Sequence, residues 1–328
     1  MKAVIITRPG GPEVLEIQER PKPEPGVGQI RVRVRASALN RADLMQREGN
    51  YPVPPGVSAD ISGMEYAGEV DALGVAASLW KTGDRVMGII AGAAHAEYVC
   101  VHEREAMPAP KGMSWEDAAA IPEVFLTAYD ALFNRLAVRT GETVLIHAVG
   151  SGVGTAALQI ARVAGARVVG TARSAGKLER AKKLGLDVAI DSSRGDWPAQ
   201  VEAAIGPLRV HAIVDLVGGG YLEGNMQVLA LRGRIVVVGL TGGASAPFNM
   251  RALLVKRLTI VGTTLRGRPL EEKITVARDL SEHILPLFEA GRLKPVVDRV
   301  FSFDEISAAH KLMESNETFG KIVLAWQS

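Results

Sequence analysis

The feature that most constrains this chain is the run His147-Ala148-Val149-Gly150-Ser151-Gly152-Val153-Gly154. An apolar, β-branched stretch, Thr143–Val149, leads into it, and a stretch rich in helix formers, Thr155–Ala164, follows. Strand, glycine loop and helix in that order are what a dinucleotide fingerprint requires. Small residues let the backbone approach a pyrophosphate, and the helix N-terminus supplies N–H donors and the positive end of its dipole. The spacing departs from G-x-G-x-x-G, because Thr155 stands at the third position. Read as A-x-x-S-x-x-G, the motif runs through Ala148, Ser151 and Gly154. A glycine cluster alone can be a structural turn; the strand before it and the helix after it favour the dinucleotide reading.

The next strand bears on which dinucleotide. NAD sites place an acid about 20 residues after the loop, on the ribose 2′-hydroxyl. Here Val168-Val169-Gly170-Thr171 ends in Ala172-Arg173-Ser174, with Lys177 close behind and no acid in the window. Cations and a hydroxyl suit a 2′-phosphate, hence NADPH. Arg173 and Lys177 could instead be solvated at a helix start, but the macrodipole disfavours bases there.

Strands and helices alternate around this motif. Strands are predicted at Arg167–Thr171, Val188–Ile190, Ala212–Val217, Arg234–Leu240 and Leu258–Thr263. Helices are predicted at Lys177–Leu184, Pro198–Ile205 and near Leu222–Leu231. Near-continuous apolar strands interleaved with helices indicate a parallel sheet covered on both faces. The preceding third reads differently. Ile30-Arg31-Val32-Arg33-Val34-Arg35 alternates with period two, and further strands are predicted at Ala3–Thr7, Arg85–Ile90 and Glu97–Val101, among Gly/Pro turns. Such punctuation suggests a small barrel or sandwich. Ser114-Trp115-Glu116-Asp117 has capping-box spacing and starts a helical stretch. The tail offers a helix at Glu271–Ala290, bent or broken near Pro286, a strand at Val296–Phe303, a helix at Asp304–Glu314 and a strand at Lys321–Trp326. These late strands are assigned back to the first domain. A chain of 328 residues favours two domains. The expected division is 1–120 and 265–328 for a discontinuous outer domain, with a nucleotide domain, 121–264, inserted.

Several classes are disfavoured. The formal charge is +2 with interspersed signs, so no nucleic-acid footprint is present. The single cysteine, Cys100, excludes an internal disulfide and every multi-cysteine zinc cluster. The apolar run Ala3–Ile6 is too short for a secretory leader, and no run reaches a membrane span. The chain is expected to be cytoplasmic. Cys100 shares a strand face with Tyr98 and is expected in the core. His95 and His102 fall on strands or loops, His310 on a helix, and His147 at the end of the first nucleotide-domain strand; none has ligand spacing.

Four blocks carry a family resemblance. They are Ala36-Ser37-Ala38-Leu39-Asn40-Arg41-Ala42-Asp43-Leu44-Met45-Gln46-Arg47 with Tyr51 and Pro54-Pro55-Gly56, Val144-Leu145-Ile146-His147-Ala148, Ser151-Gly152-Val153-Gly154-Thr155-Ala156-Ala157, and Gly320-Lys321-Ile322-Val323-Leu324. The chain resembles the quinone oxidoreductase branch of the medium-chain dehydrogenase/reductase superfamily, nearest its tumour-suppressor-inducible members, over essentially its whole length. The resemblance implies a GroES-like barrel, an inserted Rossmann domain and a cofactor in the cleft between them. It implies that Ser151, Gly152 and Val153 hold the pyrophosphate, and that Ser174 and Lys177 hold the 2′-phosphate. Arg173 stands where close relatives have a small residue, and Ser192 where they often carry a tyrosine. It further implies that Gly239, Leu240, Thr263, Thr264 and Leu265 line the nicotinamide half, with Thr127 and Tyr51 near the ring and Asn316 a further cofactor contact. A homodimer through the Rossmann sheet edge, Leu258–Thr263, is implied as well.

Zinc-dependent relatives place a cysteine where this chain has Asn40. An alcohol substrate needs that Lewis acid, whereas a quinone is already a strong electrophile. By the resemblance, Asn40 and Tyr51 are the expected catalytic residues of a zinc-free NADPH:quinone reductase, although Asn40 could be a turn residue, Tyr51 a packing anchor and Asp43 a helix cap. A zinc-free reductase of enones or enoyl thioesters, and a non-catalytic NADPH-binding redox protein, remain alternatives.

Overall fold

The computed structural model describes residues 1–326. They divide into two units: Met1–Leu126 with the chain from Leu265 onward, and Thr127–Thr264.

In the first unit the alternating stretch forms the strand Gln29–Ala38. Ile30, Val32 and Val34 turn inward and are buried. The arginines between them turn outward, where Arg31 pairs with Asp71 at 2.6 Å and Arg35 with Glu69 at 2.7 Å. Period-two chemistry thus becomes one dry and one wet face. This strand lies inside a seven-stranded sheet. In spatial order the path is Val297–Ser302, Lys321–Ala325, Gln29–Ala38, Glu65–Leu73, Arg85–Ile89 and Met107–Pro108, with Tyr98–His102 also on Gln29–Ala38. The tail returns to this sheet, because Lys321–Ala325 runs antiparallel to Ala36–Ala38. The tail helix does break, into Leu270–His283 and Leu285–Glu289, ahead of Pro286, whose missing N–H and ring oppose a continuous helix.

The second unit is a six-stranded parallel sheet. Its order is Val188–Asp191, Arg167–Ala172, Thr143–Ile146, Val210–Asp215, Leu229–Val237 and Thr259–Gly262. The first three strands wind outward one way and the last three the other. The switch point therefore lies between Thr143–Ile146 and Val210–Asp215, where open α/β sheets bind ligands at their carboxyl ends.

Two expectations are corrected. The helix expected near Leu222–Leu231 spans Tyr221–Val228, and Leu229 already begins a strand. Leu229 is fully buried in the sheet core, so burial in the sheet overrides helix propensity there. Cys100 is half-buried and not in the core. Val99 and Val101 fill the inner face of Tyr98–His102, which leaves Tyr98 and Cys100 on the outer one. Even half-burial pushes the thiol up to about 11. Among the described residues no helix is long and apolar enough to cross a membrane.

Candidate cofactor and acceptor sites

The glycine loop follows the strand Thr143–Ile146 at the switch point. Ser151 caps the helix Gly152–Val163, its Oγ accepting from the Gly154 N–H at 3.1 Å. Ala148 takes a left-handed φ of 48°, so the chain turns sharply out of the strand. A Cβ at Gly154 would stand 2.5 Å from the Ala148 carbonyl oxygen and 2.8 Å from the Val149 backbone. Gly154 is thus the residue that lets helix and strand end meet. The first helical turn carries no acid, leaving its N–H groups and dipole for an anion.

A buried polar chain supports the loop. His147 Nδ1 lies 2.9 Å from Thr171 Oγ, and Nε2 lies 2.6 Å from Asn225 Oδ1. Asn225 donates to Asp215 at 2.9 Å, and Asp215 accepts the Val217 and Gly218 N–H groups at 2.8 Å. Because Asn225 turns its oxygen to the imidazole, Nε2 carries the proton and Thr171 donates to Nδ1. Burial lowers the His147 pKa, holding the ring neutral. The ends of three neighbouring strands are tied together in this way.

Arg173 and Ser174 are exposed just past the strand Arg167–Ala172, and Ser174 opens the helix Ala175–Lys183 with Lys177 in its first turn. Ser192 comes to them through its N–H, which donates to the Ala172 carbonyl at 3.0 Å. Gly239 and Leu240 follow the strand Leu229–Val237. Thr263 and Thr264 follow Thr259–Gly262, and Thr263 Oγ donates to buried Asp130 at 2.6 Å. Thr127 is buried on the helix Pro122–Tyr129. Within this unit, Ser151 to Val153, Arg173, Ser174, Ser192, Gly239, Leu240, Thr263 and Thr264 all follow the carboxyl ends of strands.

The first unit holds Asn40, Tyr51, Leu265 and Asn316. Asn316 is exposed in a left-handed turn at φ 58°, its Oδ1 accepting from Arg41 at 2.6 Å. Asn40 precedes the helix Arg41–Arg47 and is nearly buried. Its Nδ2 donates to Glu65 at 2.8 Å, and its Oδ1 accepts from Lys321 at 2.7 Å. Lys321 and Glu65 themselves pair at 2.7 Å. Asp43 accepts the Asn40 N–H at 2.7 Å and the Gly63 N–H at 2.9 Å, so the helix-cap reading of Asp43 is the structural one.

Four residues here escaped sequence reasoning: Glu65, Lys321, Glu123 and Arg266. Glu65 begins a strand and Lys321 begins another, charges at the ends of apolar strands. Glu123 donates its backbone N–H to Glu65 at 2.8 Å. Burial, with Glu65 and Asp43 nearby and opposed by Lys321 and Arg266, pushes its carboxyl up to about 8. Arg266 lies over the Tyr51 ring, 4.9 Å from its centroid.

Residues 152–282 match the zinc-binding dehydrogenase family, and residues 26–111 match the alcohol dehydrogenase GroES-like domain. The synaptic vesicle membrane protein VAT-1 homolog of Rattus norvegicus is 32% identical over 99% of this chain and 84% of its own length. The quinone oxidoreductase of Homo sapiens is 30% identical over 99% of this chain and 97% of its own. The chain belongs to the medium-chain dehydrogenase/reductase superfamily. Solved structures of this superfamily superpose closely. A Pseudomonas syringae pv. Tomato DC3000 quinone oxidoreductase does so with a TM-score of 0.89 at 28% identity, covering 99% of both chains. An NAD-dependent alcohol dehydrogenase gives 0.86 at 35% identity, covering 100% of both chains, and CurK enoyl reductase gives 0.87 at 27%, covering 99% of both. As a superfamily member the chain is an oxidoreductase of the nicotinamide-cofactor class. The glycine loop fits such a cofactor, since a Cβ would already obstruct it at Gly154. Zinc is a different matter. Asn40 is committed to Glu65 and Lys321, and among the described residues no group of three or more His, Cys, Asp or Glu could hold a metal. The residues present do not fit that ion.

Proposed function

We propose that the chain is a zinc-free reductase that binds NADPH and transfers hydride to quinones. The observation that carries the cofactor choice is the end of the strand Arg167–Ala172. Arg173 and Ser174 stand there, Lys177 follows, and the first turn of the next helix has no acid. Guanidinium, hydroxyl and ammonium donors are the chemistry of a 2′-phosphate site. Bound reduced nicotinamide supplies the hydride. Ser151, Gly152 and Val153 hold the pyrophosphate through backbone donors, and the His147–Asn225–Asp215 chain keeps that backbone rigid. Gly239, Leu240, Thr127 and Thr263 to Leu265 line the nicotinamide half, and Asn316 and Ser192 are outlying contacts. Asn40 and Tyr51 shape the acceptor side, and the chain works as a homodimer in the cytoplasm.

The quinone acceptor is supported by full-length likeness to quinone oxidoreductases and by a site whose Asn40 replaces a metal ligand. Likeness to an enoyl reductase favours a second reading, reduction of activated double bonds. Titration of both cofactors by fluorescence tests the proposal. NADPH should bind at least about tenfold tighter than NADH, since charge-assisted contacts contribute about 1.5–3 kcal/mol each. Lys177→Ala should weaken NADPH and spare NADH. Equal affinities would sink the NADPH reading. NADPH oxidation measured across ortho-quinones, para-quinones and enones decides the acceptor.

A further inference from the structure

Two side chains of the first unit have functional groups that the fold leaves unused. Arg266 is 7% exposed, and most of its guanidinium is anchored. Nε donates to the Ala91 carbonyl at 2.7 Å and Nη2 to Gln46 Oε1 at 2.6 Å. Gln46 is fixed in turn, donating to the Ala59 and Ile61 carbonyls at 3.1 and 3.3 Å. Nη1 is buried and has no hydrogen-bond partner among the described residues. A buried guanidinium donor left unmade costs more than an ordinary hydrogen bond returns, so a braced arginine with one idle nitrogen points to an outside acceptor.

The second side chain is Glu123, in the first turn of the helix Pro122–Tyr129. Its backbone binds Glu65, but its carboxyl makes no hydrogen bond or ion pair among the described residues. The surrounding charges already balance. Asp43 and Glu65 contribute two negative charges, and Lys321 and Arg266 two positive ones. Asp43 is satisfied by two backbone N–H groups, and Glu65 by Lys321, Asn40 and the Glu123 N–H. A third carboxylate beside Asp43 and Glu65 would be unpaired excess charge, so half-buried Glu123 keeps its proton to a higher pH than a free carboxyl does. Arg266 and Glu123 are tied to the same corner of the unit: Arg266 through Gln46 on the helix that Asn40 opens, and Glu123 through Glu65, which accepts from Asn40. The Tyr51 ring lies under the same guanidinium.

We propose that Arg266 and Glu123 form an oxygen subsite for the acceptor, in which Arg266 Nη1 binds a carbonyl oxygen and Glu123 gives that oxygen its proton. The proposal rests on the reductase reading above and names the proton donor in it. The acceptor gains two electrons and one hydrogen as hydride from the reduced nicotinamide, which is oxidised. The hydride forms its new bond at the far end of the acceptor's conjugated system as its bond to the nicotinamide breaks, and the displaced π electrons collect as negative charge on the oxygen facing Arg266. The Glu123 O–H bond breaks as the new oxygen–hydrogen bond forms. Glu123 is left as a carboxylate and regains its proton from water. A guanidinium and a neutral acid together are preorganised for an oxygen that becomes negative during the reaction. Tyr51 is then a wall of the subsite and not its acid.

The test pairs Glu123→Gln, close in size and without a transferable proton, with Arg266→Gln. Wild-type kcat on a para-quinone should fall as pH rises through about 8, where Glu123 ionises. Glu123→Gln should lose about tenfold or more at neutral pH and show no such limb, since general acids contribute roughly 10²–10⁴-fold. NADPH affinity should not change. Two measurements need no turnover. The infrared band of a protonated carboxyl should titrate near pH 8 and be missing in Glu123→Gln. Quenching of tryptophan fluorescence by 1,4-naphthoquinone, with NADP⁺ bound, should need about tenfold more quinone in Arg266→Gln, the loss of one charged hydrogen bond. A Glu123→Gln enzyme with the wild-type rate and limb overturns the proposal, as does a Glu123 carboxyl already ionised at neutral pH. A wild type that turns over no quinone, yet binds the probe through Arg266 and shows the band, overturns the quinone reading and supports the subsite.

Discussion

The Asn40–Glu65–Lys321 cluster holds the start of the helix Arg41–Arg47 against the sheet of the first unit. Glu65 is fully buried and Lys321 3% exposed. Burial raises the Glu65 pKa, and Lys321, Asn40 and the Glu123 N–H pull it back. Removing one partner of such a pair costs about 3–5 kcal/mol, because the other charge is stranded. Lys321→Met is therefore expected to lower the unfolding free energy measured in urea by that amount, and adding Glu65→Gln should recover much of the loss. A single variant as stable as wild type would show that water reaches Glu65. The sequence pointed to Asn40 through resemblance, but not to its partners. Lys321 lies 281 positions away and reaches Asn40 only because Val323 pairs with Ala38. Period-two patterning reports a face, not a neighbour across the sheet. At Cys100 the clue was present, since Val99 and Val101 are the β-branched pair that a buried face selects.

At the scale of elements, the strand–loop–helix of the second unit was legible because its signals agree. Apolar β-branched residues, small turn residues and helix formers follow in order, and propensity and packing demand the same structure. What was missed lacked that agreement. The strand Glu65–Leu73 opens on a charge and contains Gly68, both disfavoured in strands. A Cβ at Gly68 would stand 2.1 Å from the Arg33 carbonyl oxygen, next to a bulge in the pairing with Gln29–Ala38, so the glycine is required by the neighbouring strand. The helix Arg41–Arg47 is only seven residues long, too short for periodicity to declare itself. Gly154 tests the element that was legible. Gly154→Ala drives a methyl into the Ala148 and Val149 backbone, which cannot swing away as a side chain can. The expected loss is about 1–3 kcal/mol in denaturant stability, the range of overpacking. NADPH affinity should fall at the same time, because the atoms that must move are those of the loop. Unchanged stability and affinity would mean that Gly154 is not what sets the approach of helix to strand.

At the scale of the whole molecule, the end of the parallel sheet is the feature that bears on assembly. Thr259–Gly262 is its last strand, paired on one side only with Leu229–Val237. Beside it in the chain, the helix Met250–Lys256 has no buried residue, and Met250, Leu254 and Val255 are 68, 77 and 63% exposed. Ala252 and Leu253 fix this helix to the core cluster, and Lys256 Nζ donates to the Met226, Gln227 and Leu229 carbonyls at 2.8, 2.7 and 3.1 Å. The apolar surface is thus rigidly held. An open edge strand beside exposed aliphatic side chains invites pairing, and a second copy satisfies both at once through a two-fold axis. In such an isologous interface each substitution acts twice. Leu254→Glu together with Val255→Lys places charges where apolar side chains would meet, and each stranded charge costs several kcal/mol. A shift of 1.4 kcal/mol is already tenfold in a dissociation constant, so the double variant should weaken the dimer by about 10³-fold or more. Sedimentation should then show a dimer for the wild type and a monomer for the variant at the same concentration. The glycine loop lies at the switch point in the middle of the sheet, not at this edge, so NADPH affinity should be retained. A wild type that stays monomeric, or a variant that stays dimeric, would place the interface elsewhere.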